Sequence, residues 1–165
     1  MNLDFKDIEN AYKKISSSII KTPLVVNDFI NNLLEAEVFF KLENLQNTGS
    51  FKLRGATHKI STISSDIINN GVVAYSSGNH AQAVAYAASQ RKISAKIIMP
   101  KNAPRIKINN TKEYGADVIL YDTFFENREK IGNKIKEKEN RSLIKPYDDI
   151  DVIAGQGTVG IEIAS

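Results

Sequence analysis

The sequence lacks three features that would place it in particular classes of protein. It has no cysteine, which argues against a disulfide-stabilised scaffold. It has no apolar stretch near the roughly 18 residues that a membrane-spanning helix needs, and no apolar run after a basic start of the kind that marks a secretory signal. We therefore expect a cytoplasmic protein with no membrane partner.

The sequence also lacks a block of like charge. Its 22 Lys and Arg residues are interspersed with 19 Asp and Glu, for a net charge of +3. Binding to nucleic acid or to a membrane surface relies on clustered positive charge, so this distribution gives little support to either role. A small anionic ligand is compatible with it, and 165 residues that are 42% hydrophobic can bury one core or two small lobes.

From residue 50 onward, short β-branched runs alternate with longer segments of helical pattern. Strands are predicted at GVVAYSS, AKIIMP and ADVILY, each followed by a helix-forming segment. Such alternation predicts an α/β fold with a parallel sheet, right-handed crossovers and helices on the sheet faces. Elsewhere we predict an amphipathic helix over residues 3–18, an extended turn over 21–23, a strand over 37–43, a strand or loop over 142–149, and a helix entered through 151–165.

The segment SSGNHAQAVAYAA (residues 76–88) contains the first candidate site. Its polar residues Ser76 to His80 follow a predicted strand, Val72–Tyr75, and open an alanine-rich helix. The simplest interpretation is that a serine or the asparagine caps the helix, and His80 by itself is more typical of a helix start than of a catalytic base. One cap needs only one residue, however. Four polar side chains at a helix N-terminus, at the carboxyl end of a parallel strand, indicate an anion or ligand site.

A second candidate is AGQGTVG, in which Gly155, Gly157 and Gly160 match G-x-G-x-x-G just before a predicted helix. This pattern occurs in dinucleotide-binding loops. Such a site also needs a firm preceding strand and an acidic residue about 20 positions later, and the chain ends before that position. Glycines that allow a tight turn and close helix packing are the more economical interpretation.

The third candidate is Lys52 in TGSFKLRGA (residues 48–56), where Thr48, Gly49 and Ser50 are predicted to form a turn and a helix cap. A cation at a helix N-terminus is unfavourable by up to about 1 kcal/mol, and burial lowers the pKa of a lysine. Both effects favour the neutral amine, which is the nucleophile in Schiff-base chemistry with a carbonyl. A lysine taken alone is more often a solvated surface residue, so this interpretation depends on the neighbouring motifs.

In combination these motifs resemble the fold-type-II pyridoxal-phosphate enzymes, in their serine/threonine dehydratase and serine racemase branch. TGSFKLRGA, SSGNHAQA about 25 residues later and the terminal AGQGT follow the family's order and spacing. Further similar segments are KTPL (21–24), IIMPKNAP (97–104) and YGADVILY (114–121). The resemblance covers nearly the whole chain. It implies a fold like that of the tryptophan synthase β subunit, a three-layer α/β architecture with a parallel sheet and two domains.

The resemblance also implies the cofactor pyridoxal 5′-phosphate and a set of site residues, with no metal ligand assigned. By position, Lys52 would bind the cofactor covalently, Phe51 would pack near its ring, and Asn79 would contact its 3-oxygen. The loop that receives the substrate carboxylate would comprise Ser76, Ser77, Asn79 and His80.

The implied reaction is elimination from a β-hydroxy amino acid, giving a 2-oxo acid and ammonia. The amine of Lys52 would remove the Cα proton as general base, with the cofactor as electron sink. Ser77 corresponds to a serine that, in racemase-like members, exchanges this proton on the opposite face of the substrate. Many bacterial dehydratases instead resemble SAGNH at this loop, so serine racemisation is an additional activity that the sequence permits.

The family architecture divides the chain into three parts. Residues 1–47 would begin the large domain, residues 48–149 would form a complete small domain that includes Lys52, and residues 150–165 would return to an incomplete large domain. Members normally continue into a glycine-rich phosphate loop, so we expect the front part of a longer protein, with little activity by itself. Two interpretations follow: a dehydratase, homo-oligomeric like its family, whose remainder is absent from this chain, or a shortened α/β protein that binds ligands or partners without catalysis.

Overall fold

A computed structural model of the chain describes residues 3–165. The helices are α1 (Phe5–Ile15), α2 (Asp28–Leu34), α3 (Lys52–Thr62), α4 (Ser65–Ile68), α5 (Asn79–Gln90), α6 (Arg105–Glu113), α7 (Arg128–Glu139) and α8 (Ile150–Ala164). The strands are β1 (Leu24–Val26), β2 (Phe39–Lys41), β3 (Val72–Tyr75), β4 (Ala95–Pro100), β5 (Asp117–Tyr121) and β6 (Ser142–Leu143). Short 3₁₀ turns occur at Ser16–Ser18 and Glu43–Leu45.

Four strands form a parallel sheet in the order β5–β4–β3–β6, which confirms the predicted parallel sheet. In its register Val72 of β3 lies opposite Ala95 of β4 and opposite Ser142 of β6. Because β3 and β6 are parallel neighbours, the segments that follow them leave the sheet at the same edge.

Helices cover both faces of this sheet, so the architecture has the three layers that were predicted. On one face, Leu53 of α3 and Val84 of α5 pack with Val72 of β3 in the larger core cluster. On the other face, Ile131 of α7 packs against the cluster that contains Val73. All four residues of β3 are buried, as expected for a strand that is covered on both sides.

A separate two-stranded antiparallel sheet joins β1 to β2, with Leu24 opposite Lys41 and Val26 opposite Phe39. Strand β2 confirms the strand predicted over residues 37–43, in a shorter form. Strand β1 was not predicted, because three residues are too few to show an alternating pattern.

Side-chain caps occur at some of the helices but not at α4, at α6 or at the two helices of the candidate site. Asp4, Asn27, Asn127 and Asp149 each accept a hydrogen bond from a first-turn amide of the helix that they precede. In contrast, α3 and α5 begin without any side-chain cap. The predicted turn before α3 is present, with Gly49 at φ +69°, but the cap predicted within Thr48 to Ser50 is wrong, because the helix has no side-chain cap.

The glycine-rich segment AGQGTVG lies inside α8, so the prediction of a glycine turn before a helix is wrong. The helix begins earlier because the side chain of Asp149 accepts hydrogen bonds from the amides of Asp151 and Val152. The alternative role, close helix packing, is confirmed: a Cβ on Gly155 would lie 2.7 Å from the carbonyl oxygen of Arg54 in α3.

The helices built from residues 3–165 include none with the length and apolar character needed to cross a membrane.

Candidate active site

The candidate site lies where three segments meet: the N-terminus of α3, the loop between β3 and α5, and the chain that follows β6. The amide of Ile144 donates to the carbonyl oxygen of Val73 at 2.8 Å, which extends the pairing of β6 with β3 by one residue. The chain after Ile144 therefore runs beside the loop that follows β3. This arrangement brings Lys52 and His80 to the same main-chain segment.

Lys52 is the first residue of α3 and is partly buried. Its Nζ donates a hydrogen bond to the carbonyl oxygen of Pro146 at 2.9 Å and lies 5.4 Å from the centre of the Phe51 ring. Within residues 3–165 Lys52 has no carboxylate partner at ion-pair distance. Burial lowers the pKa of this amine, because the charged form loses hydration that no nearby anion replaces.

His80 lies behind the loop, with only 3% of its surface exposed. Its Nε2 is 3.1 Å from the carbonyl oxygen of Ile144. Its pKa is lowered to about 4, chiefly by burial, against the opposing effect of the Ile144 hydrogen bond and with a smaller contribution from the positive charge of Lys52. The imidazole is therefore neutral near physiological pH.

The remaining loop residues lie nearer the solvent. Ser76 is partly buried, and its Oγ accepts a hydrogen bond from the amide of Gly78 at 3.2 Å. Ser77 and Asn79 are exposed, and the side-chain oxygen of Asn79 accepts from Nζ of Lys107 at 2.8 Å. None of these side chains caps α5, so the simple capping interpretation of the loop is wrong.

A buried ionic cluster holds the first turn of α3 in place. The Arg54 guanidinium, which is fully buried, forms bidentate hydrogen bonds to Glu43 and to Glu162 at 2.8–2.9 Å. Lys41 adds an ion pair to Glu162 at 2.7 Å. Burial opposes these charges, but the mutual hydrogen bonds outweigh it, raising the pKa of Arg54 and lowering that of Glu162.

Gln156 of α8 contributes to the same helix start. Its side-chain oxygen accepts a hydrogen bond from the amide of Gly55 at 3.1 Å, which ties α8 to the first turn of α3.

The sequence motifs identified the side chains of this site but not their hydrogen-bond partners. Lys52 and His80 were selected from the sequence, whereas the carbonyl groups of Ile144 and Pro146 were not. A main-chain carbonyl belongs to every residue, so it leaves no signal in composition or spacing. The partners of Arg54 were missed for a related reason, since Glu162 is 108 positions away in the chain.

Comparison with known proteins assigns the family. The family model described as "Pyridoxal-phosphate dependent enzyme" matches residues 15–165. The chain belongs to this family. One relative, the L-threo-3-hydroxyaspartate ammonia-lyase of Saccharomyces cerevisiae, is 42% identical over 159 residues, which cover 96% of this chain and 49% of the yeast protein. The catabolic L-threonine dehydratase of Escherichia coli K12 is 43% identical, over 95% of this chain and 48% of that protein.

A solved structure, that of maize serine racemase, matches with a TM-score of 0.95 at 38% identity, covering 99% of this chain and 50% of the maize chain. The fold is that of the fold-type-II pyridoxal-phosphate enzymes, as the motifs predicted. The chain spans about half the length of the curated relatives that it matches.

Pyridoxal phosphate is the cofactor that this family implies, and the residues of the site fit it. Covalent attachment of an aldehyde requires an amine that readily loses its proton. Lys52 has a pKa lowered by burial and a carbonyl, not a carboxylate, as its hydrogen-bond acceptor. A neutral acceptor does not stabilise the ammonium form as an anion would. The surroundings of Lys52 therefore favour the neutral amine, which is the form that makes an imine.

Proposed function

We propose that the protein is a pyridoxal-phosphate-dependent ammonia-lyase that converts a small β-hydroxy amino acid to a 2-oxo acid and ammonia. Serine, threonine and 3-hydroxyaspartate are the proposed substrates, and serine racemisation is a proposed second activity. The observation that carries this proposal is the partly buried amine of Lys52 at the start of α3, which donates a hydrogen bond to a main-chain carbonyl and has a lowered pKa. The printed names of the relatives, a hydroxyaspartate ammonia-lyase and a threonine dehydratase, support the reaction class.

Lys52 is proposed both to hold the cofactor and to act as general base. The bound cofactor supplies the electron sink that makes a Cα proton of an amino acid acidic. Nζ of Lys52 then accepts that proton. Its lowered pKa keeps a useful fraction of the amine unprotonated, and the Pro146 carbonyl orients it. Phe51, whose ring faces Nζ, is proposed to pack beside the cofactor.

The loop after β3 is proposed to bind the substrate carboxylate. The amides at the N-terminus of α5 have no side-chain cap, and the helix dipole favours an anion there. Ser76 and Ser77 add hydroxyl donors, and the main chain of His80 belongs to the same helix start. Asn79 is proposed to contact the cofactor, with Lys107 holding its amide.

Ser77 is proposed as the second acid–base group. Its exposed hydroxyl lies in the loop that also receives the substrate, where it can return a proton to Cα. This role would allow racemisation of serine beside elimination. We further propose the division into residues 1–47, 48–149 and 150–165 as the domain organisation of this chain.

Covalent trapping tests the proposal independently of turnover. Purified protein is mixed with pyridoxal 5′-phosphate, reduced with borohydride and digested, and the pyridoxyl-lysine is located by mass spectrometry. We expect the label on Lys52 in preference to Lys59, which lies in the same helix but is paired with Asp149 and Asp151. Label spread evenly over the lysines would contradict the site and favour a binding protein without catalysis.

Assays of the polypeptide that the intact gene encodes then test the reaction. We expect 2-oxo acid from at least one of L-serine, L-threonine and L-threo-3-hydroxyaspartate, and none from the Lys52→Ala variant. The Lys52→Arg variant should also be inactive, since a guanidinium stays protonated. The Ser77→Ala variant should lose serine racemisation to a greater extent than elimination. Equal loss of both would assign Ser77 to substrate positioning.

A further inference from the structure

The side chain of His80 is buried in the interior, although the residue belongs to the loop that is proposed to bind substrate. Its side chain is 3% exposed, and its one hydrogen bond within residues 3–165 joins Nε2 to the carbonyl oxygen of Ile144. A carbonyl oxygen can only accept, so Nε2 must bear the proton. The other ring nitrogen, Nδ1, is then the unprotonated one. It is buried and has no partner in the described part of the chain.

The acceptor of His80 and the acceptor of Lys52 belong to one short segment. Lys52 donates to the carbonyl of Pro146, two residues beyond Ile144, and β6 ends at Leu143. The side chain of Ile144 is fully buried in the larger core cluster, whereas Pro146 has no amide hydrogen to donate. Two hydrogen bonds hold Ile144 itself: its amide donates to Val73, and its carbonyl accepts from His80.

We infer that His80 is a positioning residue for Lys52, because its Nε2–H fixes the segment Ile144–Pro146, whose last carbonyl holds the Lys52 amine. The inference rests on the proposed role of Lys52. In its neutral form His80 provides this anchor without placing a second positive charge near the amine. A side chain of similar volume without a donor would leave the Ile144 carbonyl unsatisfied and the Pro146 carbonyl less well placed.

The chain supplies an internal control for the tautomer. It has two histidines, and in His58 it is Nδ1 that lies 2.8 Å from a carbonyl oxygen, that of Asp151. The same argument therefore places a proton on Nδ1 of His58. Two-bond ¹H–¹⁵N correlation NMR of ¹⁵N-labelled protein distinguishes the two forms. We expect Nε2–H for His80 and Nδ1–H for His58 at neutral pH. A charged His80, or one with the proton on Nδ1, would overturn the inference.

Two variants test the coupling to Lys52. His80→Gln keeps an N–H donor at the end of the side chain, whereas His80→Leu has none. The readout is the initial rate at which pyridoxal 5′-phosphate labels Lys52, measured by borohydride quenching and peptide mass spectrometry, with exposed Lys13 as reference. We expect His80→Leu to lower the Lys52 rate roughly tenfold relative to Lys13, and His80→Gln to recover most of the loss.

The outcomes separate this inference from the proposed function. A folded His80→Leu protein that labels Lys52 at the wild-type rate would overturn the positioning role alone, as would equal losses in the Leu and Gln variants. Failure of the wild-type protein to label Lys52 would instead overturn the proposed function. Should His80→Leu not fold, the His80→Gln rate and the NMR tautomer of the wild-type protein still decide the question.

Discussion

Gly155 of α8 lies directly against Gly55 of α3, so close that a Cβ atom on Gly155 would come within 2.7 Å of the Gly55 Cα. The same Cβ would lie 2.7 Å from the Arg54 carbonyl oxygen. These are main-chain atoms of a packed helix, which cannot move aside as a flexible side chain can. The crossing of the two helices thus depends on the absence of a side chain, and it sets the position of the helix that begins at Lys52.

We therefore expect Gly155→Ala to lower the free energy of unfolding by roughly 1–3 kcal/mol, the usual cost of overpacking. Gly160 is the matched control in the same helix, because a Cβ there would meet no atom within 4 Å. Gly160→Ala should be neutral or stabilising by up to about 1 kcal/mol, since alanine has the higher helix propensity. Urea denaturation of both variants measures the difference. Equal effects would show that α8 does not pack as described.

Arg54 provides a second stability prediction. Replacing it with methionine would leave the carboxylates of Glu43 and Glu162 close together and desolvated, with only Lys41 as a counter-charge. Breaking a buried pair in this way typically costs about 3–5 kcal/mol. Lys101→Met is the control, because its contact with Asp122 is exposed and 3.9 Å long, and such pairs contribute about 0–1 kcal/mol. Similar midpoints for the two variants in denaturant would contradict a structural role of the cluster.

The pKa of Lys52 can be tested without cofactor or substrate. Burial lowers it, whereas hydrogen bonds to Asp149 and Asp151 raise the pKa of Lys59 despite burial. We expect Lys52 to be acylated faster than Lys59 at about pH 8, because a larger fraction of its amine is neutral below the ordinary lysine pKa. Competitive labelling with isotopic acetic anhydride across a pH series gives both profiles. An apparent pKa of Lys52 at or above that of Lys59 would contradict the predicted order.

His80 should make folding sensitive to acid. Its pKa is lowered from 6.5 in the unfolded chain to about 4 in the fold, so between these values the unfolded state binds a proton that the native state does not. Stability then falls as the pH falls through this window and is fully retained above pH 6.5. The shift corresponds to about 3 kcal/mol.

Unfolding free energies of the wild type and His80→Gln, compared from pH 7 to pH 4, isolate this contribution. Glutamine does not titrate, so acid should destabilise the wild type more than the variant. Parallel curves for the two proteins would show that His80 titrates normally in the fold.

Much of the fold could be predicted because its signals are local. The β-branched residues of β3, β4 and β5 and the alanine-rich α5 show their patterns within a few residues of sequence. Predictions failed where a structure depends on distant partners. β1 is recognisable only through its pairing with β2. The Gly155 to Gly160 segment resembles a loop until the Asp149 cap and the contact with α3 place it inside a helix.

The sequence by itself determined which chemical groups are available: an amine at Lys52, the polar loop Ser76 to His80, and the alternating pattern that indicates the α/β class and the family. Only the tertiary structure decided the state of those groups. Lys52 has a lowered pKa because packing removes water from it and sets a carbonyl, not a carboxylate, beside it. His80 is neutral because burial lowers its pKa despite the hydrogen bond to Ile144. Hydration and main-chain acceptors depend on which segments meet in space, and no residue type records that in the sequence.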